Sequence, residues 1–384
     1  MRQARALQVF LAFAITAFLV ACGQSNSSLP VGSSGGPPKS TPPPEDRSIA
    51  LACKTDNASY LVADYKEQGK KPPGEPERVL SYPVGYETTA IAYDTTGDLY
   101  VALNNGSESR VDEYFPGDRN VDRTIRDGIY HPDALVTDPH GNLYVANSDF
   151  GHRNVTWYKP GSTSPLSATD TGTGFLSALA WGDEDNKLWV ADYSNNVLRA
   201  YRIDDEKNTS TKVWTICALG CDLRDSDIHG PSAFSEVRGN LYVLNVPLLG
   251  HDYVREYGIH KDRDPYYARE IDPKGDYHFV KAITTDPYEN VYLAEWTANC
   301  EVCQNYYAIF AYDLGGGYLW GQEDGLTKPI SIVASADHVY VAEDRHGGDI
   351  VVLARSRQLP HEGVLAKPKD CARPLKLAVY PPFY

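Results

Sequence analysis

Three histidines stand at matching places in the chain: His131 in YHPDAL, His229 in DIHGPSAF and His278 in DYHFVKAI, each three to four residues ahead of an apolar run. Imidazole is the commonest protein ligand for transition metals. Three of them around one open coordination position would make a catalytic zinc arrangement, able to lower the pKa of bound water to about 7. A second polar set recurs at the ends of runs of the form LYVAN: Asn147, Asp192, Asn245, Glu295 and Glu343, with Leu103 at the equivalent place in the first run. Such a ring of acids and amides would suit calcium, but a short polar side chain at a strand end ordinarily bonds the N–H groups of a neighbouring turn. Capping is therefore the expectation, and Asp94, Asp138 and Asp286, which begin other turns, are expected to do the same. No H-E-x-x-H or glycine-rich phosphate loop is present, and G-x-S-x-G occurs only as GSSGG (32 to 36) within a Gly/Ser/Pro stretch, without the strand and helix of a nucleophile elbow.

The elements that must position these residues are repeats. GDLYVALNN (97 to 105), GNLYVANSD (141 to 149), NKLWVADYS (186 to 194), GNLYVLNVP (239 to 247), ENVYLAEWT (289 to 297) and DHVYVAEDR (337 to 345) share one pattern, and their central apolar residues are 44, 45, 53, 50 and 48 positions apart. A period of roughly 40 to 50 residues, with short strands and polar turns, points to a propeller of four-stranded blades. Helical solenoids are excluded, because β-branched and aromatic residues dominate and Gly, Asn, Asp and Pro bound each run. A third strand ending in Tyr follows, as in VDEY, VTWY, LRAY, VREY and IFAY, and then a weaker fourth.

This predicts an all-β, six-bladed β-propeller of four-stranded antiparallel blades, with seven blades the alternative. Residues 48 to 83 and the tail after 355 lie outside the six units and must close the ring, since an open ring exposes strand edges. ERVLSYP is expected as an outer strand of the closing blade. The loops between second and third strands and those leading to the next inner strand share the channel-mouth face, which receives His131, His229 and His278. Tyr193 and Trp296, just beyond marker strands on that face, are the candidates for ligand contact.

At the N-terminus, MRQAR precedes ALQVFLAFAITAFLV, an apolar stretch too short for a comfortable transmembrane helix, which needs about 20 residues. A charged start and a short apolar core are those of a secretory signal. Its ending, Leu19-Val20-Ala21-Cys22, resembles the bacterial lipobox, in which the Cys is lipidated and the signal is cut before it. Residues 1–21 are thus expected as a lipoprotein signal peptide, and residues 22–47 as the lipidated Cys22 and a disordered Gly/Ser/Pro linker. The propeller fills residues 48–384. The expected location is the cell envelope, lipid-anchored after export, at the outer membrane if the host has one, since Gly23 rather than Asp follows the Cys.

Losing Arg2 and Arg5 with the signal takes the formal charge from −15 to −17. Such a body is not expected to bind nucleic acid, whose affinity comes largely from Lys and Arg on phosphates. Six cysteines remain once Cys22 is spent, an even number suited to disulfides in an oxidising compartment. Cys53 and Cys371 are expected to staple the ring closure, with Cys217 to Cys221 and Cys300 to Cys303 as local pairs. The rival reading makes one zinc site from the last four thiolates.

The A-I-A-x-D-x-x-G-x-L-Y-V-A pattern resembles the NHL repeat, and roughly residues 48 to 355 are similar to the NHL-type propellers of bacterial surface lipoproteins. That resemblance implies fold more than activity. Gluconolactonase-like propellers imply one divalent cation at the channel mouth, for which Asn147, Asp192 and Asn245 stand in comparable places. The peptidyl-hydroxyglycine amidating lyases imply zinc on three loop histidines, matched by position in His131, His229 and His278. The expectation is a monomeric binding or scaffold module for a protein, peptide or glycan ligand, with no cofactor. The alternative is a metal-dependent lyase or hydrolase holding one Zn or Ca ion on the same face.

Overall fold

The computed structural model describes residues 47–380, apart from residues 68–70, 171–173, 183–186, 218–222, 225–227, 238, 248–251, 261–262, 272–277, 289, 299–304, 314–315, 323–325, 345–347 and 356–360. Cys22, Cys221, Cys300 and Cys303 lie outside the described residues, as do the expected signal peptide and linker.

Seven antiparallel sheets of four main strands succeed one another, and inner strands of neighbouring sheets touch all the way round, so the sheets form a closed propeller. Residues 87–125, 132–170, 176–224, 231–271, 278–322 and 329–364 make blades 1 to 6, the six units of the repeat. Blade 3 adds a short fifth strand, Leu223–Arg224, parallel to Thr209–Cys217.

Blade 7 comes from both chain ends. Arg47–Lys54, Tyr60–Glu67 and Arg78–Tyr82 are its second, third and outer strands, and Arg373–Tyr380 is its inner strand. The all-β propeller of four-stranded antiparallel blades is as expected, and the count is seven, the alternative, rather than six. Blade 6 completes its own four strands with His361–Val364, so residues 47–82 build a further blade rather than filling an incomplete one. No turn joins the inner and second strands of blade 7, so the aspartate-led turn that marks blades 1, 2 and 5 has no counterpart there. ERVLSYP forms the outer strand of the closing blade, as expected.

Each second strand is a run such as Leu99–Asn104 or Leu143–Asn147 that is buried on both faces. Its Tyr is the interblade wedge: Tyr100, Tyr144, Tyr242, Tyr292 and Tyr340 are fully buried. A buried phenol needs a hydrogen-bond partner, and in blades 1, 2 and 5 a turn aspartate supplies it. Tyr144 and Tyr292 donate to Asp138 and Asp286 at 2.9 and 2.8 Å. The same aspartates accept turn N–H groups, from Thr96 and Asp98 on Asp94, His140 and Asn142 on Asp138, and Tyr288 and Asn290 on Asp286. Their capping role is as expected.

Blade 6 lacks that aspartate. There Glu67 of blade 7, 1% exposed, crosses the closing interface and accepts from Tyr340 at 3.0 Å and Ser335 at 2.8 Å, beside His338 and Arg47. At the other end of this blade Cys53 and Cys371 form a disulfide, the staple expected from the sequence.

Candidate functional site

Every inner strand carries a β-bulge near its start. The register shifts fall at Thr88/Ala90, Pro132/Ala134, Leu176/Ala178, Pro231/Ala233, Val280/Ala282 and Pro329/Ser331, and at Ala52/Cys53 in blade 7. A bulge re-aims one side chain and recurs next to functional sites. The residues it sets out of pairing at the channel mouth include Asp133 and Lys281.

Around Asp133 charges converge from three blades. His131, just ahead of the inner strand of blade 2, has φ 51°, and its Nδ1 lies 3.3 Å from Asp133 Oδ1. That bond raises its pKa, against partial burial. The His131 N–H donates to Ser109 Oγ of blade 1 at 2.9 Å, and its carbonyl accepts from the Ser148 N–H. Left-handed backbone in a non-glycine residue persists only where surroundings over-determine it, and these two bonds do so. Lys376, on the inner strand of blade 7 and 3% exposed, feels both Asp133 and Glu87. Burial nevertheless pushes its pKa down to about 8.

A second centre lies between blades 4 and 5. Asp252 is 2% exposed; its carboxylate accepts from the Val280 N–H, while Oδ2 is buried without a hydrogen bond. Burial pushes its pKa up to about 7, against the pull of Lys281, with Glu295 adding to the rise. Lys281 moves the opposite way for the same reason, its ammonium desolvated over Phe279 and Trp296 at 5.4 and 5.9 Å. An acid and an amine displaced toward neutrality in one place are suited to proton transfer.

Four of the strand-end residues, Asn147, Asp192, Asn245 and Glu343, are caps. Asn147 accepts the Tyr130 N–H at 2.8 Å and donates to Gly128 O and Asn154 Oδ1. Asn245 accepts the His229 N–H, Glu343 accepts from Thr327, and Asp192 holds Asn195 and Arg199. Asn147, Asp192 and Asn245 are fully buried and committed to these bonds, so they do not fit the divalent-cation set that the gluconolactonase resemblance implies.

The histidine trio is spread over the mouth. His131 and His229 precede blades 2 and 4, with blade 3 between them, and the His229 side chain is exposed. His278 begins the inner strand of blade 5 opposite Thr297; its side chain lies outside the described residues. Among the described residues no group of three His, Cys, Asp or Glu side chains is arranged to hold a metal. Cys217 is disulfide-bonded, to a partner outside the described residues. That removes one thiolate from the rival zinc reading.

Of the two candidate contact residues, Tyr193 is half-buried at the mouth, and its N–H donates to Phe175 O at 2.9 Å. Its ring fills the space over Gly230, where a Cβ would lie 2.9 Å from Cε2. Trp296 stacks on Phe279 at 5.0 Å, and its Nε1 is buried without a partner. Lys376, Asp252 and Lys281 were not anticipated. For the two lysines the signal was present, as a charge inside the apolar runs LKLAVY and VKAI; the bulge aims Lys281, while Lys376 is paired with Ala52 next to a bulge at Leu375.

No protein-family model matches the sequence, and no curated protein does. Solved structures do. The chain is similar to the periplasmic gluconolactonase PpgL of Pseudomonas aeruginosa, at 16% identity and a TM-score of 0.65, over 87% of this chain and 99% of that one. A putative 6-phosphogluconolactonase from Bacteroides uniformis aligns at 13% identity and 0.66, with the same coverage. A Lactobacillus plantarum protein aligns at 14% and 0.62, over 87% and 98%. At these identities the likeness is one of β-propeller fold.

Proposed function

We propose that this chain is a cell-envelope lipoprotein whose NHL-like propeller is a binding module, with the channel-mouth face as its recognition surface. The observation that carries this reading is the cluster of exposed aromatic rings in neighbouring loops of blades 2 and 3 on that face, Tyr130, Phe150 and Phe175, the last two bridged by Arg153. Exposed aromatic patches mark interaction sites more often than isolated apolar residues do. Chain polarity agrees. Arg47, where the tether would join, sits at the far end of the closing blade from the mouth, paired with Asp337 at 2.6 Å. The anchor would then hold the body by one face and leave the other free.

The test is site-specific crosslinking on the envelope-bound protein. A photoreactive residue replacing Phe150 should give higher-mass adducts, and one replacing Phe115, exposed on the opposite face, should not. Adducts at neither place, or equally at both, would sink the proposal.

A hydrolase is the second reading, favoured by the His131 and Asp133 pair beside Lys376. A carboxylate that orients one imidazole nitrogen leaves the other to exchange protons with a bound substrate. Lactone hydrolysis suits this reading, given the lactonase names among the fold neighbours. His131→Ala should then abolish turnover of a sugar lactone while leaving the melting temperature unchanged; absence of turnover in the unaltered protein would remove the reading.

A further inference from the structure

We propose that the mouth rim over blades 1 to 3 is a track for an extended, uncharged polysaccharide chain. This rests on the mouth face being the recognition surface and names its ligand. Three pairings of a ring with a cationic or imidazole side chain follow one another along this arc. On blade 1 the Arg110 guanidinium lies 4.4 Å from the centre of the Tyr86 ring. On blade 2 the Tyr130 and His152 rings stack at 3.9 Å with 11° between planes. Between blades 2 and 3 the Arg153 guanidinium sits 5.1 Å from Phe150 and 4.2 Å from Phe175.

Repetition over consecutive blades suits a polymer better than a single small molecule. The rings also project rather than line a hollow: Phe150 is 87% and Phe175 51% exposed. Protein interfaces usually bury their aromatic anchors in enclosed central pockets, so raised platforms favour a ligand whose own rings present a broad C–H face, as the chair of an equatorially substituted pyranose does. Stacking on them would take apolar area out of water at about 25 cal/mol per Å².

Charge points the same way. In a chain of net charge −15, this arc balances Arg110, Arg126 and Arg153 against Glu108, Asp112 and Asp149, with Arg110 Nε 3.1 Å from Asp112 Oδ2. Arg110 and Arg126 both pair with Glu108, at 3.7 and 3.0 Å. A polyanion finds no surplus of positive charge here, whereas a hydroxyl, donor and acceptor at once, can use both kinds of group.

The test is calorimetric titration of detergent-solubilised full-length protein with cellohexaose and chitohexaose, with polygalacturonate as the charged comparator. Saturable binding of a neutral hexaose is expected, weakened about tenfold or more by Phe150→Ala or Phe175→Ala with the melting temperature unchanged. Arg153→Lys should weaken it as well, since an ammonium cannot bridge two rings as a planar guanidinium does. No binding of either neutral hexaose, binding of polygalacturonate alone, or binding indifferent to both Phe changes would overturn the proposal. The crosslinking experiment separates the two readings. Adducts at Phe150 without glycan binding would leave the recognition face standing and remove only the polysaccharide.

Discussion

Cys53 and Cys371 join the end of a second strand to the loop ahead of an inner strand, the connection that Asn147, Asn245 and Glu343 make by hydrogen bonds in blades 2, 4 and 6. The registers coincide: Cys53 lies opposite Pro374 as Asn147 lies opposite Pro132, Asn245 opposite Pro231 and Glu343 opposite Pro329. The closing blade replaces a cap by a covalent bond.

Because that bond spans 318 residues, its loss frees nearly the whole propeller sequence in the unfolded state. Non-reducing peptide mapping should recover the Cys53 and Cys371 peptides linked. Cys53→Ser with Cys371→Ser should lower unfolding free energy by about 2 to 4 kcal/mol in denaturant titration. An unchanged midpoint would show that strand pairing alone closes the ring.

Glu67 secures the other end of the same interface. Glu67→Leu would leave Arg47, His338 and the Tyr340 hydroxyl without their shared carboxylate, and breaking such a buried pair costs about 3 to 5 kcal/mol. Tyr340→Phe removes one hydrogen bond and should cost about 1 kcal/mol. Equal losses from the two would show that Glu67 is not the hub.

The capping reading of Asn147 makes a prediction opposite to the cation reading. Asn147→Ala leaves the Tyr130 N–H and Gly128 carbonyl short of a partner and should destabilise by about 1 to 3 kcal/mol. The loss should be identical with calcium or with chelator. A stability that falls on chelation in the unaltered protein, and no further in the variant, would restore the cation.

Asp252 gives a pH dependence of definite sign. Its folded pKa of about 7 lies above the unfolded 3.8, so the native state binds the extra proton and stability declines as pH rises between those values. Asp252→Asn keeps the shape and removes the charge. Its advantage over the unaltered protein should be near zero at pH 4 and grow to on the order of 1 to 3 kcal/mol by pH 8. A constant difference across that range would mean that Lys281 holds the carboxylate ionised throughout.

The strands and turns were legible because their causes are local. A continuous run such as Leu-Tyr-Val-Ala after a polar turn suits a strand buried on both faces, and the capping by Asp94, Asp138 and Asp286 follows from the geometry of a side chain two residues from the N–H it accepts. The staple was legible too, from Cys53 and Cys371 beside the two strands left over. The blade count was legible only as six or seven, since pairing Arg373–Tyr380 with Arg47–Lys54 joins chain ends that share no turn, and local pattern does not say whether they fill a blade or add one. The electrostatic character of the mouth was not legible. Lys376 owes its depressed pKa to burial on a strand from the C-terminus, facing charges on blades 1 and 2. Asp252 owes its raised pKa to blade 5 packing over it. The sequence alone determined which residues form strands and turns, since those depend on neighbours a few positions away. Which charges lose their water, and which rings line up along one rim, depends on residues tens to hundreds of positions apart, and ring closure decides it.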